Sequence, residues 1–486
     1  MKVAIEGCCH GQLDTIYTSI AALESQNSYK VDLLLICGDF QAIRNEHDLQ
    51  CMAVPDKYKA LGEFHKYYTG ESIAPILTIV IGGNHEASNY FWELFHGGWI
   101  APNIYFLGHA GSDRWASGIF KGYNFNKGYY ETQPYSKDDV RSIYHIRESS
   151  IRQLSLLPKP TIFLSHDWPL NITSYAPLQT AEVNEGRLGS PPLMGLMKVL
   201  KPQWWFSAHL HVGFQTRVWW EEGMEGGEEM EGNPDEIVIE DDEFETAAAA
   251  PVESSSTSAL PPPPRAPANP DEIMLDALDG DEAFDVAPPP PPIPAPIPEP
   301  PMSERGGSFT QFVALDKCLP RRKFLEVIDV ETPVTPSKSS ESSSRSPPML
   351  TYDPHWLAIT RAFHSYISLE RFQKPFPDEA TARSMIENEV RWVRENVLGG
   401  KDGGEDVSGD DKGGDGAGAG RVSGVGGIKI DDVQVFVRTA PGPEGNGGGK
   451  GKVRVKQPPV YSNPQTEAFC RMLAMSNFVN PGAASS

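Results

Sequence analysis

The chain has 486 residues, and its 65 acidic and 42 basic side chains give a formal net charge of −23. It holds no apolar run of about 18 residues, which excludes an ordinary membrane-spanning helix. Its six cysteines are too scattered for a disulfide framework. We therefore expect a soluble intracellular protein in a reducing compartment.

The acidity is concentrated in one segment, because residues 221–245 carry 13 carboxylates and no Lys or Arg. That segment accounts for more than half of the net charge and has too little apolar content to fold. Acidity usually argues against a nucleic-acid ligand, since phosphate backbones attract Lys and Arg. Because the rest of the chain is much closer to neutral, a nucleic-acid substrate stays open.

Five short runs rich in β-branched or aromatic residues predict buried strands, at 3–5, 31–36, 76–81, 161–164 and 204–206. Each run is followed by potential metal ligands. In chain order these are Cys8 and His10, Asp39, Asn84, His166, and His209 with His211. Side chains at the carboxyl ends of parallel strands point into one crevice, so ligands from five strands can converge on one site.

The first ligand pair, Cys8 and His10, lies in the run from Gly7 to Gly11. Alternate residues of an extended segment share a face, so Cys8 and His10 can bind at one site while the Cys9 side chain points to the core. A thiolate ligand favours zinc or ferrous iron over magnesium. The other interpretation makes Cys8 a small buried residue of a decayed site.

Asp39 follows Cys37 and Gly38 at the end of the second predicted strand. Its carboxylate has the charge and the two oxygens needed to bridge a pair of cations. An aspartate after glycine is also common as a helix N-cap or in a turn. The residues around Asp39 in the folded chain decide between these roles.

The run from Gly82 to Glu86 is the most specific short motif of the chain. The amide oxygen of Asn84 can bind one ion while the imidazole of His85 stands over a substrate phosphate, and the paired glycines permit close backbone approach. Alone, the motif is equally compatible with a Gly-Asn turn whose histidine lies at the surface.

Three histidines complete the ligand set. His166 ends the fourth strand, and His209 and His211 are two residues apart, so on an extended segment both imidazoles would face one side. A single His-x-His pair is more often an ordinary core or edge feature, but three strand-end histidines are hard to explain by packing. The set indicates a two-metal hydrolase of phosphate esters.

The second half of the chain alternates low-complexity and ordered segments. After a core at 1–220, we expect the acidic and Pro-rich stretch 221–306 to be a disordered insert, because proline runs favour extended conformations over packing. Strand-like patterns at 308–315 and 324–330 predict that 307–331 completes the core. A Ser/Pro-rich linker at 332–348 follows.

A helical block is expected at 349–398. Trp356, Ile359 and Phe363 are spaced for one helix face, and the run from Pro377 to Glu379 opens a second helix that ends at Val397. A flexible Gly-rich segment at 399–427 and a tail at 428–486 complete the chain.

The ligand pattern resembles that of the calcineurin-like metallophosphoesterases, with Cys8 where the superfamily has aspartate. Longer motifs narrow the resemblance to the RNA lariat debranching enzymes, a family that shares this cysteine. The motifs that carry it are 7–12, 74–86, 96–99, 142–145, 165–169, 205–211, 314–322 and 352–361. The resemblance covers about 1–220, 308–330 and 350–395.

This resemblance implies an α/β fold, a four-layer α/β/β/α metallophosphoesterase sandwich with the disordered insert and the C-terminal helical block. It implies hydrolysis of the 2′,5′-phosphodiester at the branch point of excised intron lariats, in the nucleus. The implied cofactors are two divalent ions (Fe2+, Zn2+ or Mn2+) held by the ligands named above, with His85 as the acid for the leaving 2′ oxygen. The implied partner is branched RNA, bound by a monomer, and the insert is a candidate site for splicing-related proteins.

The segment from Gly118 to Tyr144 interleaves aromatic and basic side chains suited to stacking on splayed bases and contacting phosphate. It resembles the family's lariat-recognition segment, and without that context it would be an ordinary Tyr-rich loop. The candidate RNA-binding residues are Lys121, Tyr123, Phe125, Lys127, Tyr129 and Tyr144. Residues 109–118 and 172–188 are shorter than the family pattern, which bears on substrate affinity and leaves the metal centre intact.

Two other functions compete with this interpretation. A generic metallophosphoesterase of nucleotides or linear nucleic acid would show no preference for branched RNA. A non-catalytic scaffold on the same fold would act through the insert. Loss of metal ligands is the usual sign of such a scaffold, and the sequence keeps every ligand position filled.

Overall fold

The computed structural model describes residues 1–109, 115–175, 188–221, 307–331, 348–399, 427–443 and 455–479. The expected insert, Ser/Pro-rich linker and Gly-rich segment, at 221–306, 332–348 and 399–427, lie outside the described residues except at their boundaries. None of the helices in the described part is long and apolar enough to cross a membrane.

The first sheet contains β1 (Lys2–Glu6), β2 (Leu33–Ile36), β3 (Leu77–Val80), β4 (Gly98–Ala101), β5 (Ile104–Phe106) and β11 (Leu325–Asp329). Their spatial order is β11-β1-β2-β3-β5-β4. β1, β2, β3 and β5 run parallel, and the edge strands β4 and β11 are antiparallel to their neighbours. The parallel strands are nearly continuous apolar runs because both faces of the sheet are covered.

The second sheet contains β6 (Trp115–Ala116), β7 (Ile162–Ser165), β8 (Trp204–Ser207), β9 (Phe214–Glu221) and β10 (Gly307–Ala314), in the order β6-β7-β8-β10-β9. β9 pairs antiparallel with β10, and the other strands run parallel. Residues 222–306 therefore connect two neighbouring strands of one sheet. The strands predicted at 308–315 and 324–330 are β10 in this sheet and β11 in the first.

The two sheets face each other across an apolar layer that includes Ile5 and Leu35 from the first and Leu164 and Phe206 from the second. The outer face of the first sheet packs against α1 (Leu13–Asn27), α2 (Phe64–Thr69) and α3 (Ser88–Glu93). The outer face of the second packs against α6 (Glu148–Ser155) and α7 (Pro191–Leu200). Two short helices, α4 (Gly122–Phe125) and α5 (Asp139–Ser142), lie between β6 and α6. The α/β/β/α layering implied by the sequence is confirmed.

Three helices follow the sheets: α8 (Pro354–Phe363), α9 (Glu379–Asn396) and α10 (Pro464–Met472). The sequence predicts the first two, and the Asp378 carboxylate caps α9 by accepting from the Thr381 amide. It does not predict α10. The Gln465 side chain at the start of α10 accepts from the Trp99 amide at 2.8 Å and donates to the Trp99 carbonyl at 2.9 Å. This pair of bonds docks α10 on edge strand β4.

Candidate metal centre

The predicted ligands lie on loops that follow the carboxyl ends of β1, β2, β3, β7 and β8. Within the first sheet, the His10 amide donates to the Asp39 carbonyl at 2.7 Å. Between the sheets, the His209 amide donates to Cys8 Sγ at 3.2 Å. Strand ends that are far apart in the chain therefore meet at one edge of the two-sheet sandwich.

One group of donors consists of Cys8, His10, Asp39 and His211, which each place one ligand atom within 4.8 Å of all the others. The Nε2 atoms of His10 and His211 are 3.1 Å apart. Two imidazole lone pairs approach this closely only when a proton or a cation lies between them. Sulfur, nitrogen and oxygen donors gathered in this way fit a transition-metal ion such as zinc or iron.

A second group forms around His166. Its Nε2 is 3.0 Å from Asn84 Oδ1 and 3.5 Å from Asp39 Oδ1. Its Nδ1 is 2.8 Å from the Cys37 carbonyl, to which it donates a hydrogen bond. The lone pair of His166 is therefore on Nε2, which faces Asn84 and Asp39. The His209 ring lies 5.1 Å from the His166 ring, centroid to centroid. The structure thus brings together all seven of the predicted ligands.

Asp39 lies between the two groups, and each of its carboxylate oxygens faces a different one. Oδ1 is 3.5 Å from His166 Nε2, whereas Oδ2 is 3.7 Å from His10 Nε2. The carboxylate is only 1% exposed. This geometry fits the metal-bridging interpretation of Asp39 better than an N-cap or an ordinary turn, and Asp39 caps none of the described helices.

Four of the ligands have left-handed backbone conformations, with φ of 44° at His10, 44° at Asp39, 63° at His209 and 51° at His211. The expectation that His209 and His211 lie on an extended segment is wrong, since β8 ends at Ser207 and the histidines follow on a tight loop. Each such conformation costs about 1–3 kcal/mol and persists only where the surroundings enforce it. Strain concentrated at these residues is typical of a functional site.

The charges of the site suit cation binding. Burial alone would raise the pKa of Asp39, but the positive charge that His166, His85 and His10 carry when protonated and the hydrogen bond from the His85 amide outweigh it, and the pKa lies well below its usual range. Burial lowers the pKa of His10 to about 3 and that of His209 to about 4. At neutral pH the carboxylate is therefore charged and these imidazoles are neutral, which is the protonation state that metal ligands need.

Cys8 is fully buried, and burial followed by the negative charge of Asp39 raises the pKa of its thiol. A thiolate here needs a cation beside it, because the surroundings disfavour an uncompensated negative charge. Cys9 turns the other way and packs in the core on the outer face of the first sheet, as predicted. The donor set fits a bound metal ion better than a decayed site.

Two buried carboxylates near the ligands were missed by the sequence analysis. Glu86 accepts from the amides of Phe40 at 2.8 Å, Gly83 at 3.0 Å and Gln41 at 2.8 Å, so it ties the Asp39 loop to the Asn84 loop. Glu6, at the end of β1, is fully buried, and neither of its oxygens has a hydrogen-bond partner within the described segments. A charged residue directly after the apolar run 3–5 was the available signal for Glu6.

His85 lies at the mouth of the cluster. Its Nδ1 is 3.6 Å from Asp39 Oδ2, its ring centroid is 5.6 Å from that of His10, and its side chain is 34% exposed. The backbone amide of His85 donates to Asp39 Oδ1 at 2.8 Å, which fixes the loop. The imidazole can therefore reach both the donor cluster and solvent.

The candidate RNA-binding segment is anchored to the metal loops, because the Gly118 amide donates to the Gly82 carbonyl at 2.9 Å. Tyr123 is exposed, and the Lys127 ammonium lies 5.6 Å from its ring. The structure contradicts a stacking role for Tyr129, whose ring is buried and whose hydroxyl bonds to Ser150. The remaining candidates, Lys121, Phe125 and Tyr144, are half-buried.

Two facing sheets with metal donors at the ends of their strands define a metallophosphoesterase, and a calcineurin-like phosphoesterase model matches residues 1–213. A model of the lariat debranching enzyme C-terminal domain matches residues 307–478. The chain is 37% identical to the lariat debranching enzyme of Arabidopsis thaliana, over 82% of this chain and 76% of that one. It therefore belongs to the lariat debranching enzyme family.

Two further relatives have the same printed name or a variant of it. The lariat debranching enzyme of Drosophila melanogaster is 37% identical, over 98% of this chain and 78% of that protein. Lariat debranching enzyme A of Xenopus laevis is 40% identical over 76% of this chain, and the match spans 56% of that protein. The chain is thus a metal-dependent phosphoesterase of this family, and part of some relatives extends beyond the match.

Proposed function

We propose that this protein hydrolyses the 2′,5′-phosphodiester at the branch point of excised intron lariat RNA and so linearises it. The observation that carries this proposal is the Asp39 carboxylate, whose two oxygens face separate donor groups, one with Cys8 and the other with Asn84. The family relationship supplies the substrate class. A metal-dependent phosphodiesterase activity follows from the donor set itself.

The proposed cofactors are two divalent ions. Cys8, His10, Asp39 and His211 would hold one, and Asp39, Asn84, His166 and His209 would hold the other. Bound cations of this kind supply Lewis-acid chemistry, since they neutralise charge on the phosphate and make a water more acidic. The Cys8 thiolate favours Zn2+ or Fe2+, with Mn2+ as a third candidate.

In this mechanism His85 is the catalytic acid. Its partly exposed imidazole stands next to Asp39, so it can hold a proton near the scissile phosphate and deliver it to the leaving 2′ oxygen. Glu86 fixes the Asp39 loop to the Asn84 loop by accepting hydrogen bonds from three backbone amides.

We also propose that the branched RNA lies over the segment between Gly118 and Tyr144. The exposed Tyr123 ring would stack on an unpaired base, and Lys121 and Lys127 would contact backbone phosphates. The nucleus is the expected compartment, and residues 221–306 are the proposed site for splicing-related proteins. The active species is expected to be a monomer.

The test is to offer the purified full chain a branched RNA and its linear 3′,5′ counterpart, with Fe2+, Zn2+ or Mn2+ added anaerobically in separate reactions. Release of the 2′ arm without cleavage of the linear RNA supports the proposal. Equal cleavage of both RNAs supports a generic phosphoesterase, and no cleavage with any ion supports a scaffold. A D39N variant, which removes the charge between the donor groups, is the control for contaminating nucleases.

A further inference from the structure

An exposed aromatic ring from the C-terminal part of the chain lies beside the candidate RNA-binding segment. Phe372, in the connection between α8 and α9, is 80% exposed. It forms an antiparallel β-bridge with Lys127. Residues opposite each other in such a bridge direct their side chains to the same face, with Cβ atoms about 4.5–5.5 Å apart. The side chains of Phe372 and Lys127 therefore leave the backbone next to each other.

Backbone hydrogen bonds fix the chain around Phe372 against the candidate RNA-binding segment. The Gly128 amide donates to the Arg371 carbonyl at 3.3 Å, and the Tyr129 amide donates to the Ser368 carbonyl at 2.8 Å. The Ser368 hydroxyl donates to the Phe372 carbonyl at 2.8 Å. The two segments approach so closely that a Cβ atom on Gly128 would lie 2.6 Å from the Ser368 carbonyl oxygen. The ring is thus presented on a backbone that is held in place from both sides.

Packing of the connection does not account for the position of the Phe372 ring. Phe376, four residues further on, stacks on Phe363 of α8 with ring centroids 4.5 Å apart and also contacts Tyr366. Phe376 therefore anchors the connection to the apolar core, whereas most of the Phe372 ring stays in water. One exposed apolar residue is ordinary in itself, so the neighbours of Phe372 decide what its ring can bind.

The nearest neighbours are a cation and a second exposed ring. The Lys127 ammonium lies 5.6 Å from the centroid of the Tyr123 ring, which is 59% exposed. Lys127 thus lies next to two exposed aromatic side chains, Tyr123 and Phe372. Aromatic rings beside a cation can stack on bases of a single strand while the ammonium contacts the phosphates that join them.

The surface around these rings is basic although the whole chain is acidic. Residues 118–130 and 366–376 contain four basic side chains and one acidic one, which are Lys121, Lys127, Arg371 and Lys374, and Glu370. Partial burial lowers the pKa of Lys127, and the charge of the exposed Arg371 lowers it further, so the two cations lie close together. The next acidic residue, Glu131, is buried and paired with Arg147 at 2.6 Å. This local charge suits a polyanion.

We propose that Phe372 and Arg371 extend the RNA-binding surface onto the C-terminal part of the chain, with the Phe372 ring stacked on an unpaired base in one arm of the branched RNA. This inference rests on the proposed debranching function, which supplies the substrate. Arg371 and Lys127 contact the phosphates next to the stacked base. Phe372 is then a substrate-binding residue and leaves the hydrolysed bond to the metal centre and His85.

The experiment measures how the full, metal-loaded chain binds single-stranded RNA. A fluorescently labelled linear RNA of about 12 nucleotides is titrated by anisotropy. F372A should raise Kd by about fivefold or more, the effect of losing one stacked base. The slope of log Kd against log salt concentration should stay the same in F372A and fall by about one unit in R371A. With branched RNA, the loss in F372A should appear mainly in KM.

Three variants accompany F372A. F372W keeps a flat ring and should retain the affinity of the unsubstituted protein. F372L keeps an apolar side chain without a ring, so it should lose as much affinity as F372A. The matched control is I73A, which truncates a 74% exposed apolar side chain before β3, at the end of that strand opposite the metal donors. I73A should bind RNA as the unsubstituted protein does.

Unchanged RNA affinity in both F372A and F372L would overturn the inference. Full affinity in F372L with a loss in F372A would indicate an apolar contact without stacking, and it overturns the inference as well. If F372A keeps its RNA affinity but loses self-association in sedimentation, the ring covers a second copy of the chain and the inference fails.

Failure of the proposed function gives a different result. An unsubstituted protein that binds the linear RNA but cleaves no branch refutes debranching, and the comparison of F372A with F372W still decides whether Phe372 stacks on RNA. An unsubstituted protein that binds no RNA overturns both proposals.

Discussion

Gly83 and Asp39 approach each other so closely that a side chain at position 83 has no room. A Cβ atom built on Gly83 would lie 2.2 Å from Asp39 Oδ1 and 2.4 Å from the Asp39 backbone nitrogen. Contacts this short do not occur in folded proteins, so the Asp39 carboxylate would have to move away from the donors that surround it. The glycine before Asn84 is therefore part of the site's geometry.

Replacing Gly83 with Ala should reduce metal content and lower kcat/KM for branched RNA by about 100-fold or more, since displacing a catalytic group by about 1 Å can reduce the rate by this factor. Metal content by mass spectrometry and turnover by gel assay measure the two effects. The matched control is G195A on α7, where a Cβ meets nothing within 4 Å. G195A should leave turnover unchanged and add about 0.4–1 kcal/mol of stability. Full metal content and turnover in G83A would contradict the close-approach argument.

Replacing His85 with Ala should leave metal content unchanged, because the structure places this imidazole beside the donors without including it in either group. We expect kcat to fall by about 100- to 10,000-fold, the range for loss of a general acid. A substrate with a 2′ leaving group that needs no proton should be much less affected. Normal turnover of branched RNA by H85A would remove the catalytic role of His85.

Much of the site was predictable because ligands at strand ends are constrained by the sheet. Once β1, β2, β3, β7 and β8 are recognised from their apolar runs, the residues that follow them must meet at one edge. The seven residues that the sequence predicts as ligands therefore all lie at this edge in the structure. It could not give the left-handed conformations of His209 and His211, since these depend on the contacts of the folded loops.

Burial was harder to predict than position. Tyr129 lies in a Tyr-rich segment whose composition is typical of a surface loop, yet its ring packs against Phe95 and its hydroxyl forms a hydrogen bond with Ser150. Glu86 follows the recognised motif, but its role depends on amides of the Asp39 loop, 45 residues or more away in the chain. Local composition does not contain this information, because each partner comes from another element.

Replacing Arg44 with Ala should destabilise the protein by about 3–5 kcal/mol, the usual result of leaving buried charges unpaired. The fully buried guanidinium contacts Asp48 and Glu93 at 2.8 Å and donates to Thr439 Oγ1 at 2.9 Å. Urea unfolding measures the change. The control R383A removes an exposed pair with Glu379 and should cost less than about 0.5 kcal/mol. Similar losses in both variants would contradict the role of burial.

His96 should make the protein less stable in acid. Burial, and then the charge of His364, lowers its pKa to about 3 from an unfolded value of 6.5. Below pH 6.5 the unfolded chain therefore binds a proton at His96 that the folded protein does not bind, so the free energy of unfolding falls as the pH drops below 6.5. At pH 5 the contribution is about 2 kcal/mol.

The variant that isolates this effect is H96F, since the His96 ring stacks on Phe469 at 5.1 Å and a phenyl ring can keep that contact. Urea unfolding at pH 5 and pH 8 should show a smaller difference for H96F than for the unsubstituted protein. Identical differences would mean that His96 is not neutral in the folded state at pH 5.

Replacing Cys8 with Asp should change which metal supports activity. The thiol is fully buried, and burial together with Asp39 raises its pKa, so a cation must displace the proton before sulfur can act as a ligand. Soft Zn2+ or Fe2+ gains most from that exchange, whereas an aspartate is already ionised at neutral pH and suits Mn2+ and Mg2+. We expect the ratio of kcat/KM with Mn2+ to that with Zn2+ to rise by at least about tenfold in C8D.

Zinc binding to the unsubstituted protein should also strengthen as the pH rises, more steeply than in C8D, because it releases the thiol proton. Calorimetric titrations at two pH values and cleavage assays with each ion measure both effects, and an unchanged metal preference would show that sulfur is not a ligand.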